Sequence, residues 1–301
     1  MLIILGKLID VMSMKIVIVG PTGVGKTKLS VELAKVFDAY VINSDAVQIY
    51  QELNIGSAKV TEEEKEGIKH FLFDIKRPDE LYTVKDYQSD ARNILNKYQD
   101  KNLIVVGGTG LYVTSLFYDY RFGLDNDENY DNLSKEELYK LVLKKDPNCS
   151  IDKNNIIRLK RFLKRNSNEY VEPKLLYNDV FFIGLTTPRD NLYDIINKRV
   201  DKMFLDGLVD EVKTLYQKYP ESSILKRAIG YKEIIAFLNG EISLEKAKEL
   251  IKKNSRHYAK RQYTWFNNKM NIKWFNVDYN NFNNTIKEVL NYISVVRNNG
   301  K

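Results

Sequence analysis

One cysteine, Cys149, in 301 residues excludes an intramolecular disulfide and any metal site made of several thiolates. A chain so poor in thiols fits a reducing compartment, and a cytoplasmic address is the expectation. Tandem repeats are absent, and the well-mixed charge, 29% of residues, leaves no long segment with the composition of a disordered chain. Long apolar runs are also lacking. The opening MLIILGKLIDVMS comes nearest to one, but Lys7 and Asp10 interrupt it, no small-residue cleavage site follows, and it is too short to cross a bilayer. No membrane partner is therefore expected. Residues 1–13 are read as a strand-like leader, or as sequence upstream of a start at Met14. A more local absence is acidic: from Leu250 to Val277 there is no Asp or Glu, while Lys252, Lys253, Arg256, Lys260, Arg261, Lys269 and Lys273 all fall there.

What is present supports burial, with 44% hydrophobic residues and 12% aromatics. Forty-seven Lys and Arg against 40 Asp and Glu leave a net charge of +7, which permits a polyanionic partner without requiring one. Apolar runs rich in Ile and Val at Lys15 to Val19, Tyr40 to Ile42, Leu103 to Val106, Phe181 to Leu185 and Ile272 to Phe275 read as buried strands. Amphipathic segments such as Lys26 to Phe37 and Val84 to Lys97 lie between several of them. This alternation predicts an α/β fold, a mainly parallel sheet of the P-loop type flanked by helices. Between Arg121 and Asn178 strand signals cease and the pattern becomes helical. The predicted organisation is thus a discontinuous core, 14–120 and 179–301, with an all-helical insertion at 121–178. Within the insertion Ile156, Leu159 and Leu163 share one helical face, while Arg158, Arg161 and Arg165 share another. In Ser243 to Asn268, likewise, Leu244, Ala247, Ile251 and Tyr258 are expected to pack, with Lys253, Arg256 and Lys260 facing outward.

The strongest chemical signal is Gly20-Pro21-Thr22-Gly23-Val24-Gly25-Lys26-Thr27, a GxxxxGKT pattern between a strand and a helix. Its glycines let backbone N–H groups turn around a phosphate, the helix N-terminus adds positive potential, Lys26 supplies a cation, and the Thr27 hydroxyl is a ligand for Mg²⁺. The usual inference is nucleotide binding, of ATP above all, with hydrolysis of ATP or GTP. A nucleotide hydrolase, however, would show an apolar strand ending in Asp. Here Leu103 to Val106 runs instead into Gly107-Gly108-Thr109-Gly110, a second glycine turn that can bring Thr109 to the same anion. Asp45 lies just past the second strand, at the edge where open parallel sheets bind ligands. Arg227 stands in KRAIGY. Two classes stay open on these residues alone: a P-loop small-molecule kinase and a nucleotide-gated RNA-binding module.

GPTGVGKT, NSDAVQIYQELNIGSAK, KHFLFDI, VVGGTGLY, GLTTPRDNLYDIINKRVDKM, RAIGYKE and RHYAKRQYTWF occur in this order from residue 20 to about 266. Together they resemble the bacterial tRNA dimethylallyltransferase family, also called tRNA isopentenyltransferases. The resemblance implies that the phosphate loop grips the diphosphate of dimethylallyl diphosphate rather than ATP. Lys26, Thr27, Thr109 and Arg227 would hold that leaving group with Mg²⁺, and Asp45 would be the general base on the exocyclic amine of the adenosine next to the anticodon. It further implies that Asp45, Ala46, Val47 and Gln48, then Ile157, Arg158, Leu159, Lys160 and Arg161, contact the tRNA anticodon stem-loop, with Arg256, Arg261 and Gln262 nearby. A monomer is the expected form. The chemistry is coherent, because proton removal restores a delocalised amine lone pair and charge stabilisation favours diphosphate departure. Ala46 and Ser57 replace the family's usual Ser and Thr, Val60 replaces a common Pro, and the insertion is short. With one cysteine, no zinc finger of the kind eukaryotic relatives carry is expected. An adenylate isopentenyltransferase acting on free nucleotides is the second reading, in which the basic inserted lobe would have little purpose.

Overall fold

Lys15–Val19 (β1) is buried along nearly its whole length, which explains its unbroken Ile and Val: a strand covered on both faces has no use for alternation. The computed structural model describes residues 13–122, 128–164 and 174–299, so the leader lies almost wholly outside them. After β1 come α1 (Lys26–Phe37), β2 (Ala39–Asn43), α2 (Glu62–Lys65), the two-residue β3 (His70–Phe71), α3 (Val84–Lys97), β4 (Asn102–Val106) and α4 (Gly110–Phe117). Thr61 and Thr83 close capping boxes with Glu64 and Asp86, satisfying backbone donors that the first turns of α2 and α3 would otherwise leave free.

The helical insertion supplies α5 (Lys135–Lys145) and α6 (Ile156–Lys164), and the chain then returns through β5 (Val180–Thr186), α7 (Arg189–Leu205), α8 (Leu208–Lys218), α9 (Tyr231–Leu238), α10 (Leu244–Lys269), β6 (Lys273–Asn276) and α11 (Phe282–Asn299). The six strands form one sheet in the order β3-β2-β4-β1-β5-β6, every neighbouring pair parallel. All carboxyl ends therefore point to one edge, and the strand order leaves β1 and β2 separated by β4, the kind of crossover at which such sheets bind ligands. The five predicted strands are all present; β3 is additional. Ile16, Ile18, Leu29, Leu33, Ile183 and Leu185 are each fully buried in the core over β1, and each contributes roughly 1.5–3 kcal/mol against exposure.

The chain divides into two compact units, Tyr118–Leu176 and the remainder. The smaller begins and ends three and two residues earlier than the sequence pattern suggests, because Tyr118 and Leu175 form an antiparallel bridge and the Asp119 amide donates to the Lys174 carbonyl at 2.8 Å. Its core is Tyr130, Leu138, Val142, Leu159 and Leu163. Ile156, expected on that packing face, is 43% exposed. It is the first residue of α6, where no preceding turn exists for its side chain to lie upon.

Candidate functional site

The loop from Gly20 to Thr27 joins β1 to α1, and Gly25 caps the helix with φ of 89°, a left-handed value that a side chain would strain. The first-turn amides of α1 are thereby left pointing out of the helix end. Lys26 is half-buried and its Nζ donates to the Pro21 carbonyl at 2.7 Å. Removal from water pushes its pKa down to about 7; the nearby Arg199 guanidinium pushes the same way and the Asp45 carboxylate opposes both. A cation so disfavoured is poised to recover its charge beside an anion.

Asp45 follows β2 in a loop fastened to the second glycine turn. The Ser44 amide donates to the Val106 carbonyl at 2.8 Å, the Thr109 amide to the Ser44 carbonyl at 3.1 Å, and the Ala46 amide to the Thr109 hydroxyl at 3.0 Å. Gly107 is required here for lack of space: a β-carbon on it would come within 2.2 Å of the Ser44 main chain. One carboxylate oxygen of Asp45 accepts from the Val47 amide at 3.0 Å. Among the described residues the other makes no hydrogen bond.

These parts share one cleft of about 600 Å³, a size suited to a small phosphorylated ligand. Thr22, Gly23, Gly25, Lys26 and Thr27 line it on one side; Asp45, Ala46, Val47, Gln48 and Thr109 line it on another; Arg227, Arg261 and Gln262 complete it. Gly20 and Val24 are buried behind the loop, and Pro21 serves it through its carbonyl. Arg227 is exposed at the rim.

Two further cleft residues lie in the field of Asp45 without having been assigned to the site from sequence. Arg199, on α7, has its pKa lowered by burial and raised by Asp45 and then Glu64, which places a second cation in the field of Asp45 and Lys26; its guanidinium donates to the Ser57 carbonyl at 3.4 Å. It lies in the NKRVDKM stretch, where an arginine on an amphipathic helix carries no mark of its own. Tyr258, expected only to pack, turns its hydroxyl to the Gly108 carbonyl at 3.4 Å. Burial, and then the charge of Asp45, keep that phenol protonated.

The residues expected to contact tRNA differ in how accessible they are. Leu159 is fully buried in the helical unit, so its side chain packs rather than touching a ligand. Lys160 pairs with Asp131 at 2.8 Å. Ile157, Arg158 and Arg161 are exposed, Ile157 by 72%, while Arg165 lies outside the described residues. Arg256 does not face outward: its guanidinium donates to Asn197 on α7 at 2.7 Å and lies over the Tyr193 ring. Gln262 is buried beneath the second glycine turn, its amide nitrogen donating to the Gly108 carbonyl at 3.0 Å and its oxygen sealed from solvent. The Gln48 amide nitrogen is engaged by the Ser57 and Ala58 carbonyls at 3.1 and 3.2 Å. Among the described residues no group of three or more His, Cys, Asp or Glu stands ready to hold a metal, and no helix is long and apolar enough to cross a membrane.

A family model described as IPP transferase matches residues 48–269. A tRNA dimethylallyltransferase of Fusobacterium nucleatum is 45% identical over 283 residues, covering 89% of this chain and 93% of that protein. Another, from Anoxybacillus flavithermus, is 42% identical over 297 residues, covering 92% and 95%. Among solved structures, the full-length tRNA isopentenylpyrophosphate transferase of Bacillus halodurans superposes with a TM-score of 0.74 at 39% identity, covering 94% of this chain and 96% of that one. A eukaryotic dimethylallyltransferase acting on tRNA gives 0.73 at 28% identity, covering 87% and 74%.

Proposed function

Because the chain belongs to the IPP transferase family, we propose that it transfers the dimethylallyl group of dimethylallyl diphosphate to the exocyclic amine of the adenosine 3′-adjacent to the anticodon in tRNA, releasing diphosphate. The observation that carries this reading is the pairing, in one cleft, of a phosphate loop with Asp45, whose loop Thr109 fastens through the Ala46 amide. The amine nitrogen attacks the allylic carbon, the carbon–oxygen bond to diphosphate breaks, and Asp45 receives the amine proton at its unengaged carboxylate oxygen. Timing that removal with bond formation keeps a usable lone pair on the nitrogen.

Lys26, Arg199 and Arg227 meet the negative charge that grows on the leaving oxygens, and preorganised cations act most strongly at that point. Arg199 is an addition to the residues named from sequence. Mg²⁺ fits the donor set: Thr27 offers a single hard oxygen at the head of α1, and this ion keeps several waters and takes other ligands from substrate phosphates. Thr27 would hold the ion, which would there neutralise diphosphate charge. The nucleotide must leave its stack to reach the cleft, and Arg158 and Arg161, exposed on α6, supply backbone-directed cations for the anticodon stem-loop.

Relatives at 42–45% identity are named as tRNA enzymes, which favours tRNA over free adenine nucleotides and over a kinase substrate. The test is direct. Purified protein with Mg²⁺ and radiolabelled dimethylallyl diphosphate is offered unmodified tRNA, AMP and ATP in parallel. Label in tRNA alone is the expected result; label in AMP or ATP overturns the acceptor assignment.

A further inference from the structure

Asp45 is held by more than its own loop. Asn43, the last residue of β2 and 1% exposed, accepts from the Asp45 amide at 2.9 Å through Oδ1 and donates to the Asp45 carbonyl at 3.1 Å through Nδ2. Both main-chain polar groups of the base therefore end on one side chain, which reproduces and closes an Asx turn. The same Nδ2 donates to the Leu72 carbonyl at 2.9 Å. Leu72 is a buried leucine with φ of 61°, a left-handed conformation that bulky residues avoid and that persists only where its surroundings impose it. Its neighbours His70 and Phe73 line the cleft.

We propose that Asn43 is a positioning residue of the transfer reaction, one buried carboxamide that orients Asp45 and at the same time holds the strained Leu72 turn carrying the facing wall. This rests on the reading of Asp45 as general base. Only a carboxamide of this length makes all three bonds. Serine retains an oxygen able to accept from the Asp45 amide but is too short to serve Leu72 as well. Aspartate keeps the acceptor, loses both donors and adds a second negative charge two residues from the base. Misplacing a catalytic group by about 1 Å costs up to ~10²-fold in rate, and the loss falls on kcat because the diphosphate cradle is untouched.

The experiment uses the full chain with dimethylallyl diphosphate and unmodified tRNA. Asn43→Ala is expected to lower kcat by about 10- to 10²-fold with KM for the donor and Kd for tRNA each within about twofold of wild type. Asn43→Ser is expected to restore part of that loss. In an Asp45→Ala background, Asn43→Ala is expected to cost far less in single-turnover rate than it does alone, the small remainder being the share that acts through Leu72, since groups acting as a unit are not additive. Should Asn43→Ala fail to fold, Asn43→Asp takes its place with the same expected loss and the same cancellation. An unchanged kcat, a serine variant no better than alanine, or losses that simply multiply in the Asp45→Ala background would each overturn the proposal. Wild-type protein that fails to prenylate tRNA would instead strike the reading of the site itself.

Discussion

Lys26 offers a perturbation whose size follows from its lowered pKa. Its pKa, about 7 in the folded protein against 10.5 ordinarily, means that the folded state holds fewer protons than the unfolded chain at every pH between those values. Stability therefore rises with pH across that window, and below about pH 7 both states are protonated and the full penalty of a buried cation is present. Each unit is about 1.4 kcal/mol, so between pH 7, where Lys26 is half-titrated, and pH 9 the wild type should gain about 2 kcal/mol from this group alone. Lys26→Met removes the group, and subtracting its unfolding free energy from that of the wild type cancels all other titrations. Urea unfolding of both proteins at pH 7 and pH 9 should give a difference that grows by about that amount in favour of the wild type. Adding pyrophosphate, which restores charge to the lysine, should flatten the trend. Parallel curves for the two proteins without ligand would refute the argument that burial and Arg199 hold this lysine near neutrality.

Other consequences are as concrete. Arg158→Ala combined with Arg161→Ala should weaken tRNA binding and reduce the slope of log K against log salt by roughly 1.5, as expected for two lost phosphate contacts; an unaltered slope would make these arginines ordinary surface charge. Gly107→Ala forces a β-carbon into the Ser44 main chain, so it should cost about 1–3 kcal/mol in stability and about 10-fold or more in turnover through displacement of the Asp45 loop. Calorimetry and steady-state assays check the two effects, and a variant with wild-type Tm and turnover would show that the close approach is not required.

The central strands were legible because burial on both faces leaves no choice but unbroken Ile and Val, as in Lys15–Val19. β3 was not, since a two-residue edge strand inside KHFLFDI is too short to show a period and exists by pairing with β2. The phosphate loop could be read outright, because its chemistry needs glycines and a lysine at fixed spacing between a strand and a helix. Arg199 could not: an arginine on an amphipathic helix looks the same whether it meets water or a carboxylate, and only the placing of α7 beside Ser57 and Asp45 decides. Arg256 shows the reverse error, its outward assignment undone by Asn197 on that same neighbouring helix. In α6 the helical period separated Leu159 from Arg158 and Arg161 correctly, whereas the contiguous stretch inferred from family resemblance ran straight across both faces and included a fully buried leucine. Asn43 carried no signal at all, because an asparagine ending a strand reads as a turn residue until the three groups it serves are known.

The account's core is a carboxylate set against a phosphate cradle as the base that readies the acceptor amine. Substituting Asp45→Ala and measuring single-turnover prenylation of tRNA alongside tRNA affinity tests it most directly. A loss of at least ~10²-fold in rate with affinity retained is the expected outcome; a variant that prenylates tRNA as fast as the wild type would contradict it.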